Sequence, residues 1–253
     1  MHNIIAIAKN TFRETIRDKI LYGILAFALL FLMSTVLFGS ISLGEDIKVI
    51  KDLGLAGIYV FSLIVSIFIG TSLIYKEIEK RTLYIIFSKP VSIAQFLLGK
   101  FVGLMLSIIL TVALMTATYL TVVAINGGGF DYPALWSIVL LIFELSIFVA
   151  LTTLFSTFTT PLAGTLYSVI ILYIGHSLEM LLRYGINSGP FASFAAKIAY
   201  YLMPNLEKFN IRNEVVYGNL PSATTISFSL IYAVLYSTIL LYLANIALKN
   251  QDL

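Results

Sequence analysis

The chain has no cysteine, only two histidines and six prolines, and just 11% of its 253 residues are charged. Each shortage excludes something. Without cysteine there is no disulfide framework and no thiolate metal site. A soluble domain of ordinary composition carries about 25% charged residues, so the scarcity of charge excludes a water-soluble fold. No HExxH-like motif and no nucleophile–base pair falls within an apolar run, which speaks against an intramembrane enzyme. The net charge of +3 carries little meaning by itself, because placement of Lys and Arg matters more in a membrane chain. No nucleic-acid partner is expected.

What is present is apolar: 59% of residues are hydrophobic and mean hydropathy is +0.97. This material comes in blocks near the ~20 residues that cross a bilayer. Six spans are expected, at Leu21–Leu43, Leu55–Ile74, Phe101–Ile125, Ala134–Phe158, Leu162–Leu182 and Ser227–Ala247. The runs do not alternate as barrel strands do, and backbone groups in lipid must be satisfied within the segment. These points imply an all-α integral membrane protein, with residues 1–253 read as a single transmembrane domain.

Lysine and arginine set the orientation. Lys9, Arg13, Arg17 and Lys19 precede the first span, and Lys76, Lys80, Arg81, Lys89 and Lys100 lie between the second and third. The loop after the first span holds only Lys48 and Lys51, and the loop after the third holds neither residue type. The positive-inside bias places both termini in the cytoplasm.

Three segments lie outside the spans. Residues 1–20 are not a signal peptide, since a long charged stretch precedes a full span. On a helix, Ile4, Ile5, Ala8, Phe12 and Ile16 share one face and Lys9, Arg13 and Arg17 another. An amphipathic helix lying against membrane lipid is expected there. Residues 183–226, on the outer side, contain GINSGP, PNLEKFNI and YGNLPSAT; they are too apolar to float free and predict short helices folded against the spans. The third segment, Tyr75–Lys100, is far longer than the 2–8 residues that join helices in bundles. Glu77, Glu79, Lys80 and Arg81 form a mixed-charge patch, Lys89-Pro90 breaks an apolar run, and Ser92 can cap a helix leading into the third span. Helix, break and helix with charge at one edge form a docking surface for a cytoplasmic protein.

The runs E-I-E-K-R-T-L, S-K-P-V-S and G-K-F-x-G place Glu77, Glu79, Thr82, Leu83, Ser88, Lys89, Pro90, Val91, Ser92, Gly99 and Lys100 in one pattern. It resembles the permeases of export-type ABC transporters, closest to the group associated with multicopper-enzyme maturation. That group's consensus is close to E-x-E-x-x-T-L…S-K-P-V-S-R…G-K; here Ile93 replaces the customary Arg. Pro204–Ile211 is similar to a P-N-x-x-x-F-N element of some members. The resemblance implies a coupling helix within Tyr75–Lys100, with Glu77, Glu79, Lys80, Arg81, Thr82, Ser88, Lys89 and Pro90 at the contact with an ABC-type ATPase. It implies a smaller contact at the turn Thr157–Pro161. It also implies two ATPase subunits holding ATP and Mg, a second permease chain, no cofactor on this chain, and an amphiphilic, lipid-like, peptide or drug-like substrate. The chain has no G-x-x-x-x-G-K-[ST] phosphate loop. Its nearest approach, G-K-F-V-G at Gly99, opens a span without a preceding strand, so ATP hydrolysis belongs to a partner.

Within the spans, Glu144 lies ten residues into the fourth, near mid-bilayer. A lone carboxylate there faces protein or water. It either lines the route or the dimer interface, or packs against Thr116, Thr118 or Tyr119. His176 and Glu179 share a face of the fifth span, and Arg183 one turn on suggests a polar outer rim with a Glu179–Arg183 ion pair; with so few ligand residues, no metal site is expected. Gly99 and Gly103 form G-x-x-x-G, a packing feature. Tyr22, Tyr59, Tyr75, Tyr132, Trp136, Tyr200 and Tyr201 fit interface anchoring. Two other readings stay open: a secondary transporter driven by protons through Glu144, although no repeat and no proline-broken span supports it, and a membrane anchor that recruits a cytoplasmic partner through the same loop.

Overall fold

The structure, a computed structural model, describes residues 2–42, 44–83, 91–219 and 222–250. Among the described residues it is all-helical. A first helix, α1 (His2–Ile16), precedes α2 (Lys19–Gly39) and α3 (Asp46–Ser72), and the short α4 (Tyr75–Glu79) comes next. Then come α5 (Ile93–Ile125), α6 (Tyr132–Phe158) and α7 (Pro161–Asn187). A connecting segment carries α8 (Pro190–Leu202), a 3-10 turn (Glu207–Phe209) and α9 (Arg212–Val216), and α10 (Ala223–Lys249) closes the chain. Among the described residues six helices, α2, α3, α5, α6, α7 and α10, are long and apolar enough to cross a membrane.

Local sequence explains the boundaries. Asp18 caps α2 by accepting the Ile20 N–H at 2.9 Å. Ser92 and Gln95 form a reciprocal capping box that starts α5. Thr160 before Pro161 starts α7 and Ser222 starts α10. Hydroxyls within the spans bond to their own helix, as Ser66 to the Ser62 carbonyl and Thr71 to that of Ile67, each at 2.8 Å. Lipid supplies no water to these groups, so the helix satisfies them.

The bundle is built around α3 and α6. Two thirds (67%) of each one's apolar window is buried, against 22% for α2 and 17% for α7, so these two are central and the others peripheral. Helix α3 touches α2, α5, α6, α7 and α9, and α10 packs along α6. Between helices in lipid, close van der Waals contact replaces the hydrophobic drive, which favours small residues at crossings. A Cβ on Gly70 would collide with the Thr152 hydroxyl, and one on Gly54 would stand 2.6 Å from the Tyr119 ring. Exposed Phe27, Leu30 and Leu37 on α2 and Ile231, Leu235 and Tyr242 on α10 form the apolar outer surface.

One helix starts earlier than composition suggests, and one starts behind the cap expected at Ser92. Helix α3 begins at Asp46, not Leu55, because its polar first turns find partners: Lys51 pairs with the buried Asp131 at 3.2 Å. Helix α5 begins at Ile93, so the second half of the Tyr75–Lys100 segment is continuous with the third span. The N-terminal helix forms where expected and also packs against the bundle. It buries Ala8, Thr11 and Thr15 rather than its largest side chains, and Ile5 is 66% exposed. It lies along α5, where Gly103 receives Ala8 and Thr11 and Gly99 receives Ile7, so that the two backbones approach closely.

Candidate functional site

Polar groups gather at one end of the bundle and again at mid-span. At the end carrying α1 and α4, Lys100 is only 3% exposed. It is ion-paired to Glu77 of α4 and lies 3.7 Å from Glu14 of α1. Nearby, Lys76 stands 4.0 Å from Asp18, and the Asn3 amide reaches Gln95 at 3.5 Å. Three elements are thus tied at one buried ammonium. Beyond it the chain turns outward, with Glu79, Lys80 and Arg81 in a row at the surface. Arg81, at φ 53, is the one non-glycine residue with positive φ among those described, and it ends α4 sharply.

Deeper in the bundle, level with the middle of α3, α6 and α7, lies a closed circuit of polar side chains. Glu144 of α6, 2% exposed, accepts from the Tyr59 hydroxyl at 3.1 Å and lies 3.1 Å from His176 Nε2. The same Nε2 is 2.6 Å from the Tyr59 oxygen, and Nδ1 is 3.0 Å from Glu207 Oε2. Glu207 Oε1 accepts from the Asn210 amide at 3.1 Å, and Asn210 Oδ1 accepts from Arg212 Nε at 3.0 Å. The Arg212 guanidinium returns to the start, 3.7 Å from the centre of the Tyr59 ring. Five parts of the fold contribute: α3, α6, α7, the 3-10 turn with the residue after it, and α9. A void of about 10 Å³ beside Glu144 has space for about one water. On the other side of His176 a cleft of about 600 Å³ opens outward past Glu179 and Arg183.

Residues 5–253 match the family described as ABC-2 family transporter protein. The chain belongs to that family. No curated protein gives a significant match. As an ABC-2 permease it is a multi-pass membrane subunit of a transporter and not catalytic by itself, and permeases of this family generally work with ABC ATPase subunits.

In this ABC-2 permease several expected residues take other partners. Glu77 does not present its charge outward but is engaged by Lys100. Thr82 donates to the Glu77 carbonyl at 3.2 Å. Ser88, Lys89 and Pro90 lie outside the described residues. The turn Thr157–Pro161 joins α6 to α7, and α4 packs against α6. Glu144 meets Tyr59 and His176, while the Thr116 and Thr118 hydroxyls bond to their own helix and Tyr119 donates to Asp131 at 2.7 Å. His176 lines one cleft with Glu179 and Arg183 but bonds to Glu144 and Glu207, and no ion pair joins Glu179 to Arg183 among the described residues. Tyr59 serves the buried circuit and not an interface.

Glu207 and Arg212 are not singled out by the sequence, and Asn210 enters only as part of the P-N-x-x-x-F-N element. Their signal was the PNLEKFNIR run itself, where polar residues recur inside a segment too apolar for a free loop. Its docking is seen in Leu206, wholly buried, whose N–H reaches the Gly175 carbonyl at 3.2 Å.

Proposed function

We propose that this ABC-2 permease is the membrane-spanning half of an ATP-driven exporter, coupled to its ATPase through Tyr75–Lys100. The observation that carries the reading is the surface row Glu79, Lys80 and Arg81, anchored by α4 to a buried ammonium shared with α5 and α1. An ATPase pressing on that row would displace one span and the N-terminal helix together. A flexible linker could not transmit such a load. The family match supports the permease role, and the pattern around Ser92 and Lys100 favours the group associated with multicopper-enzyme maturation.

The same reading extends to the assembly. Two ATP-binding subunits, each holding ATP and Mg, would serve two permease chains, identical or homologous. Both termini would be cytoplasmic, in the cell membrane, and the closed polar circuit would face outward. The substrate class is amphiphilic: lipid-like, peptide or drug-like.

The test is the mass of the intact complex, purified through this chain in mild detergent. Two permease chains with two ATP-binding subunits are expected. A chain that runs alone, even after crosslinking through Lys80, would overturn the assignment.

A further inference from the structure

His176 stands between two carboxylates. A neutral imidazole offers one N–H and one lone pair, so it can donate to Glu144 or to Glu207 but not to both. The Tyr59 hydroxyl does not remove the conflict. It has one proton, which goes either to Glu144 or to Nε2. If Nδ1 carries the ring proton, Nε2 takes the Tyr59 proton and buried Glu144 is left without a donor. If Nε2 carries it, Glu144 is served and the Nδ1 lone pair faces Glu207. One added proton resolves every contact: Nδ1–H donates to Glu207, Nε2–H to the Tyr59 oxygen, and Tyr59 O–H to Glu144.

Loss of that proton affects the two carboxylates unequally. Glu144 is 2% exposed and sealed from bulk water, while the Glu207 side chain is 41% exposed and borders the open cleft. The remaining ring proton therefore stays with Glu144, and Glu207 is the group that lets go. Glu207 belongs to the segment from Pro204 to Val216 that lies across α3, α6 and α7. That segment is already docked at a penalty: both polar atoms of the Asn205 amide are buried without a partner among the described residues.

We propose that His176 is a proton-binding site that bolts this segment to the bundle. Protonated, it pins Glu207 and closes that face; deprotonated, it releases Glu207 and the segment lifts. Arg212 is the remaining charge on the circuit, held over Tyr59 and by Asn210. Glu179 and Arg183, on the same helix as His176, border the cleft and stay outside the circuit. The docked state binds one proton more than the lifted state, so docking strengthens as pH falls and weakens as pH rises. This inference goes beyond ATPase coupling and does not depend on it.

The absence of cysteine makes a direct test available. Val215, 2% exposed on the docked segment, is replaced in one chain (Val215→Cys), and exposed Asn219 in another (Asn219→Cys). Full-length protein in lipid nanodiscs is labelled with a polar maleimide, and the rate at 215 is divided by that at 219 to cancel the thiol's own pH response. The ratio is expected to rise about tenfold between about pH 6 and about pH 8.5, as loss of one proton allows. With Glu207→Gln added it stays low and flat, because a carboxamide can donate to or accept from Nδ1. With His176→Gln the pH response is lost. Should Val215→Cys fail to fold, Ile211→Cys, 6% exposed, reports on the same segment. A flat ratio in the parent chain, or a pH response that survives both glutamine variants, overturns the proposal.

Discussion

Lys100 and Glu77 form an ion pair with the lysine almost fully buried, at the point where α4, α5 and α1 meet. Removing one member of a buried pair strands the other. Lys100→Met is expected to lower stability by about 3 kcal/mol, measured by thermal unfolding in detergent. Lys100→Met with Glu77→Leu should recover most of the loss, because neither charge is then stranded. A double variant no more stable than the single one would show that the pair does not act as a unit.

The seat of α1 makes a steric prediction. A Cβ on Gly103 would stand 2.5 Å from the Ala8 carbonyl oxygen, a backbone atom, whereas one on Gly99 would meet mainly the Ile7 side chain at 2.7 Å. Gly103→Val should therefore displace α1 more than Gly99→Val. Tryptic cleavage at Lys9 and Arg13 is the readout, and it should accelerate at least several-fold for the first variant. Equal protection in both would mean that α1 is not held by this contact.

The surface row should separate coupling from folding. Inverting Glu79 to Arg together with Arg81 to Glu touches no described internal ion pair, so stability should stay within about 0.5 kcal/mol. ATPase activity of the purified complex should lose its dependence on the permease. Unchanged coupling in the inverted chain would remove the row from the contact.

At the opposite end, Asp131 is 2% exposed and is shared by Tyr119 at 2.7 Å and Lys51 at 3.2 Å. Asp131→Ala leaves the Lys51 ammonium without this partner and should cost about 3 kcal/mol. Asp131→Asn keeps an acceptor for Tyr119 and should cost less. Amide exchange in the first turns of α3 reads the difference. Identical exchange in the two variants would assign the effect to packing alone.

Glu144 could be marked from sequence because a carboxylate inside an apolar run is costly wherever it points. Its partners could not. His176 lies on another helix and Tyr59 on a third, and no spacing along the chain encodes the angle at which those helices cross. The same limit explains the Glu179–Arg183 reading. A one-turn spacing permits a pair, but it does not compel one when the side chains border an open cleft. Glu77 was legible as part of a charged patch, yet its inward direction depended on Lys100 arriving from the start of α5.

What the sequence determined by itself was whatever depends on length, composition and local chemistry: six helical spans, their caps at Asp18, Ser92, Thr160 and Ser222, and the helical breaks between them. Water is absent from the bilayer core, so an apolar run of that length has essentially one way to satisfy its backbone. Only the tertiary structure decided which polar groups share a site. It laid α1 on the glycines of α5, gathered Glu14, Glu77 and Lys100 at one end, and closed Tyr59, Glu144, His176, Glu207, Asn210 and Arg212 into a circuit at mid-span. Those groupings depend on helix rotation and crossing, which packing between distant segments sets and local sequence does not.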